Sequence, residues 1–152
     1  MNSEIAVQFA VGRGGVPAAN TLRRWALVAL ANRGREAAEL TIRIVDRDEG
    51  AYLNEHYRGV RGATNVLAFP MEGSVQERTL LGDIVICAPV VSDEAEIQRK
   101  PPSNHWAHLV VHGVLHLLGY DHQTPEQAGE MEELERRILG NLGYPDPYAT
   151  EE

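Results

Sequence analysis

A chain of 152 residues with 43% apolar content has the length of one domain and enough apolar side chains for a packed core, which excludes a disordered or fibrous protein. No uncharged run approaches the roughly 20 apolar residues of a membrane span. The N-terminus lacks the basic-then-apolar pattern of a secretory leader, and a single cysteine, Cys87, excludes an internal disulfide, so the expected compartment is a reducing cytoplasm. The net charge of −8 argues against a polyanionic partner, but it is unevenly spread. Residues 5–35 carry Arg13, Arg23, Arg24, Arg33 and Arg35 and no acid, whereas residues 121–152 carry nine acids against Arg136 and Arg137. Such runs are either solvated faces or binding footprints.

Taken in chain order, Glu4 to Phe9 alternates Ile5, Val7 and Phe9 with other residues, which predicts a strand broken by the glycines that follow. From Ala18, the apolar residues Leu22, Trp25, Ala26 and Ala29 have helical spacing, with Gly34 placed to stop the helix. Leu40, Ile42 and Ile44 predict a second strand, and Asp48 is placed to cap a short helix through Tyr57 that closes near Gly59. Asn65 to Phe69 reads as a strand stopped by Pro70. Gly82 to Ala88, apolar nearly throughout, reads as a strand central in the sheet. Pro89 and Ser92 open a helix to about Arg99, Pro101-Pro102 interrupts it, and Ser103 restarts one that runs to about Leu118 and stops at Gly119. Thr124 and Gln127 match a capping box with Pro125 at the first helical position, and Ala128, Met131, Leu134 and Ile138 form the last helix's apolar stripe. The expected architecture is a single α/β (α+β) domain over residues 1–152, a central mixed four-stranded β-sheet packed by about five α-helices.

Five of six histidines, His105, His108, His112, His116 and His122, fall within eighteen residues. His112 and His116 are four apart and share a helix face, which lets two imidazoles grip one ion, and Gly119 allows the chain to turn back so that His122 reaches the same point. Three imidazoles with a fourth position left to water describe a catalytic zinc site, with nitrogen to metal distances of about 2.0 to 2.1 Å. His108 lies about 12 Å of helix rise from His116, so it and His105 are expected outside the metal shell. The spacing also matches the metzincin protease pattern H-E-x-x-H-x-x-G-x-x-H, but Gly113 stands where those enzymes carry their general base, which disfavours a zinc hydrolase of peptides or amides. A non-catalytic module with a structural zinc would need a fourth protein ligand, for which Cys87 is the sole cysteine.

The run His-Gly-Val-Leu-His-Leu-Leu-Gly-Tyr-Asp-His at 112–122 resembles the signature of the YbeY family of bacterial endoribonucleases and ribosomal RNA maturation factors. The resemblance extends to Leu53-Asn54 with Tyr57-Arg58, to Thr64-Asn65-Val66-Leu67-Ala68-Phe69-Pro70 and to Leu81-Gly82-Asp83-Ile84-Val85-Ile86, covering about residues 40–140, with departures at Arg61, Ala63 and Ala68. It implies that His112, His116 and His122 hold one Zn2+ and that Arg58, which taken alone reads as a cation offsetting a helix dipole, is the functional arginine of the facing groove. It further implies a cytoplasmic, zinc-dependent, single-strand-specific endoribonuclease. Such an enzyme acts in late-stage ribosome quality control and in maturing the 3′ end of small-subunit rRNA, with the ribosome and its assembly proteins as partners and no membrane. Attack by water and attack by the RNA's own 2′-hydroxyl are both open, as are two roles for Asp121, orienting a ligand imidazole or capping the turn. The basic N-terminal third, Arg23 and Arg24 included, is expected to add to the RNA surface.

Overall fold

The computed structural model describes residues 3–149. The elements are β1 (Glu4–Phe9), α1 (Ala19–Asn32), β2 (Ala38–Val45), α2 (Arg47–Arg58), β3 (Val66–Pro70), β4 (Ser74–Val75), β5 (Arg78–Cys87), α3 (Ala88–Ile97), α4 (Pro102–Leu117) and α5 (Pro125–Asn141). The four expected strands form the path β1-β2-β5-β3, parallel except for the antiparallel β3–β5 pair, and a fifth, two-residue strand β4 pairs with the start of β5. The strand expected to be central, β5, has partners on both sides.

Alternation along the strands sorts side chains onto two faces. Leu40, Ile42, Ile44, Ile84 and Ile86 enter the main core with Leu22, Trp25, Trp106, Val110, Leu115 and Ile138 from α1, α4 and α5. Val45, Leu67, Val85 and Cys87 form a smaller cluster on the other face, joined by Leu53 of α2. At roughly 1.5 to 3 kcal/mol per buried large apolar side chain, the main core dominates stability, and α4, fully buried along one side, is its axis.

Several boundaries differ from expectation for local reasons. Asp46, not Asp48, caps α2, accepting from the Glu49 amide at 3.0 Å. Pro70 remains inside β3 because β3 is an edge strand, where a missing N–H costs no ladder bond. The strand expected from Gly82 begins at Arg78, because Gly82 sits at φ +130° in a register shift against β2 that hides the alternation. A Cβ there would lie 2.1 Å from the Phe69 carbonyl oxygen, so no other residue fits. The capping box at Thr124 and Gln127 is present as read.

Candidate metal centre

On α4, His105, His108, His112 and His116 follow one another at three- and four-residue spacing, so they line a single face beside the apolar one. The helix ends at Leu118 in a Schellman motif. The Gly119 N–H donates to the His116 carbonyl and the Tyr120 N–H to the Leu115 carbonyl, each at 3.0 Å, with Gly119 at φ +99°. Arg33 at the end of α1 donates to the Tyr120 hydroxyl from Nε at 3.0 Å and Nη2 at 2.8 Å, which pins this turn to the body. Asp121 Oδ1 accepts from the His122 amide at 2.8 Å, so Asp121 caps the turn. His122 is thereby returned toward α4. Ring centroids lie 4.7 Å apart for His112 and His116, 5.5 Å for His112 and His122, and 5.1 Å for His116 and His122. One donor atom from each lies within 4.8 Å of the others.

Sequence reasoning missed the group that orients this trio. Glu135 of α5 is fully buried and accepts from His112 Nδ1 at 3.2 Å, from His108 Nε2 at 2.6 Å and, on its other oxygen, from the Tyr148 hydroxyl at 2.8 Å. Burial alone would push its carboxyl up, but the hydrogen bonds from His108 and His112 reverse this and bring it down to about 2. With Nδ1 held as a donor, His112 has Nε2 as its available lone pair, the carboxylate–histidine arrangement that fixes the tautomer of metal-binding imidazoles. Burial, reinforced by the neighbouring rings of His112 and His122, lowers the proton affinity of His116, which suits a neutral ligand. The signal in the sequence was the place of this acid, one turn beyond Met131 and beside Leu134 and Ile138 of the apolar stripe.

His108, His112 and Glu135 also lie within 4.8 Å of one another, but both imidazoles and Tyr148 direct their protons at that carboxylate, so it is engaged as an acceptor. His105, at the start of that face, pairs with α3 instead, its Nε2 2.8 Å from Glu94 Oε1. Cys87 belongs to the cluster on the opposite sheet face, its thiol 3.5 Å from the Asp46 carbonyl, and it joins neither histidine group among the described residues. A four-ligand structural site built with Cys87 therefore has no geometric basis.

A cleft of about 960 Å³ opens over the trio, walled by the segment from Thr64 to Phe69 that leads into and along β3 and by the end of α2 with Tyr57 and Arg58. Buried Asn54 organises the α2 side. Its amide donates to the Gly62 carbonyl at 2.7 Å and its oxygen accepts from Arg58 Nη1 at 3.3 Å, so one side chain ties both the α2–β3 loop and the arginine. Gly113 marks where α4 crosses β5: a Cβ there would sit 2.8 Å from Ile84 Cγ2. The glutamate of the metzincin pattern has no room at this position.

The sequence model of the endoribonuclease YbeY family matches residues 17–143, from just before α1 to just beyond α5. The chain belongs to the YbeY family. Proteins named endoribonuclease YbeY are 54% identical in Stenotrophomonas maltophilia strain K279a, over 97% of this chain and 94% of that protein. The one in Alkalilimnicola ehrlichii is 53% identical, over 98% and 93%. A solution structure of TM1509 from Thermotoga maritima has a TM-score of 0.58 at 23% identity over 96% of this chain and 99% of that one, which shows a shared fold. Among the described residues, no helix is long and apolar enough to cross a membrane. In YbeY terms, the histidine signature supplies the trio and the Tyr-Arg pair lines the α2 wall of the cleft, with Asn54 of the Leu-Asn pair buried behind it.

Proposed function

We propose that the protein is a zinc-dependent, single-strand-specific endoribonuclease of rRNA maturation and ribosome quality control, with His112, His116 and His122 as metal ligands and Arg58 as the phosphate-binding cation. The observation that carries this reading is the convergence of three imidazoles and one guanidinium on a single open cleft in a chain of the YbeY family. The donor set fits a borderline-soft divalent ion: three nitrogen ligands, one of them oriented by a buried carboxylate, facing open space that leaves a further coordination position. When bound, such an ion supplies Lewis acidity toward a phosphoryl oxygen and makes nearby water more acidic.

The chain's own residues supply the remainder. Arg58, always charged and planar, can hold a phosphate by two N–H groups, and Asn54 limits the directions it samples. Glu135 keeps His112 in the tautomer that points Nε2 outward. Peptide hydrolysis on the metzincin plan is disfavoured because Ile84 occupies the space a glutamate at position 113 would need. The cytoplasm as compartment is supported by the lone, buried, free thiol of Cys87. The ribosome and its assembly proteins enter as partners through the family reading.

The test is His116→Ala, followed by elemental analysis, single-stranded RNA cleavage and thermal unfolding on one preparation. The expected outcome is loss of zinc and of cleavage with a folded domain, since His116 is half-buried at the cleft and the core lies behind it. Zinc retained at one ion per chain would overturn the ligand assignment, and unfolding on metal loss would favour a structural ion.

A further inference from the structure

Four aromatic rings run in contact from the exposed face of α2 to the edge of the cleft. Tyr52 stacks on His56 at 5.3 Å and 9°, His56 meets Tyr57 edge-on at 4.8 Å and 85°, and Tyr57 meets Phe69 of β3 at 5.3 Å and 70°. The three rings on α2 are exposed, Tyr52 at 59% and Tyr57 at 62%, while Phe69 is anchored against the smaller apolar cluster, as is Leu53 of the same helix. Tyr57 and Phe69 line the same cleft as the histidine trio, and Arg58 follows Tyr57 directly.

We propose that Tyr57, held against Phe69 and extended by His56 and Tyr52, is a platform on which unpaired bases flanking the cleaved phosphate stack. The inference rests on the endoribonuclease reading and names what that cleft recognises in its substrate. An aromatic ring fixed by its neighbours offers a π-face that any base can use, at small ordering cost because a tyrosine has only two side-chain torsions. The guanidinium one residue on supplies the charge a phosphate needs beside a stacked base. Glu55, the nearest acid on α2, is two residues before Tyr57 and so about 200° around the helix, facing away from it.

The occupant is single-stranded RNA and not a protein surface because the platform is continuous with the concave site of phosphate chemistry. Aromatics of a protein interface gain by flat burial, whereas Tyr57 and Phe69 border a cleft that also holds a cation and three imidazoles. Single-strand preference follows. Bases in a duplex are already stacked on one another, so only unpaired ones gain by moving onto Tyr57.

The experiment is fluorescence anisotropy of the zinc-loaded protein with a labelled, 2′-O-methyl single-stranded oligonucleotide whose integrity is checked on a gel. A second series carries one abasic position, moved along the strand. Tyr57→Ala is expected to weaken binding about tenfold, within the range of one lost base–aromatic stack, while Tyr57→Phe binds like the wild type. One abasic position should weaken the wild type and leave Tyr57→Ala unchanged. Tyr57→Leu keeps apolar packing on Phe69 without a π-face and should also lose binding, which separates stacking from loss of local structure. Equal affinity of Tyr57→Ala and wild type, or equal abasic sensitivity in both, overturns the platform while leaving the endoribonuclease reading intact; rings that serve a protein partner give that result. No binding by wild type overturns both.

Discussion

Glu135 does the least visible work at the site, because it is buried on α5 and acts by holding His112, His108 and the Tyr148 hydroxyl on its two oxygens. Replacing it by glutamine keeps the shape but removes the charge from three donors. We expect zinc affinity to fall about 10- to 100-fold, measured by competition with a chromophoric chelator, and stability to fall by about 1 to 3 kcal/mol. The carboxyl is depressed from 4.5 to about 2 in the folded state, so its contribution is present above the unfolded value and lost as pH falls through this window. Acid unfolding of the metal-free protein should therefore steepen below about pH 4.5, and Glu135→Gln should flatten that limb. Arg58 admits an equally direct comparison. Arg58→Lys should lose RNA cleavage strongly while keeping zinc and the thermal midpoint, because lysine keeps the charge and loses the planar two-point grip. Full activity in that variant would reduce Arg58 to a cation at a helix end. The trio was legible in the sequence because helical spacing and a glycine turn leave few other ways to place three imidazoles. Glu135 was not, because nine acids crowd that end of the chain and only its place within an apolar stripe sets it apart.

At the scale of elements, two kinds of glycine make opposite predictions. Gly113 lies where α4 presses on β5, and Gly113→Ala should destabilise by about 1 to 3 kcal/mol because its Cβ would meet Ile84 Cγ2 at 2.8 Å. Gly129 of α5 has nothing within 4 Å of its Cβ position, so Gly129→Ala should stabilise by up to about 1 kcal/mol. Thermal unfolding of the two variants checks both signs, and a matching sign would contradict the close helix–sheet contact. All five helices and the four main strands were readable, since apolar period and proline or capping signals agree along most of the chain. What escaped was governed by tertiary contact. The pairing of Ser74–Val75 with β5 is two residues long and carries no period. Gly82 breaks the alternation of β5, and Tyr148 reaches the site only because the chain beyond α5 folds back.

Across the whole molecule, three of the five arginines in the basic N-terminal third are engaged within the fold, while Arg24 and Arg35 are exposed. Arg23 donates to the Ile5 carbonyl at 2.9 Å and to Asn20, Arg33 is bound to Tyr120, and Arg13 lies 4.2 Å over the Phe9 ring. The cation positioned at the cleft is Arg58. Local placement and not net charge thus governs where a polyanion can dock on a chain of formal charge −8. The measurement that bears most directly on the whole account is metal stripping. The purified protein is freed of metal by a chelator, assayed on single-stranded RNA, and reassayed as zinc is returned in measured steps with elemental analysis at each. Cleavage is expected to disappear with the metal and to return in proportion to zinc up to one ion per chain, with the His116→Ala protein unresponsive throughout. RNA cleavage that persists at an unchanged rate in the metal-free protein would contradict this expectation.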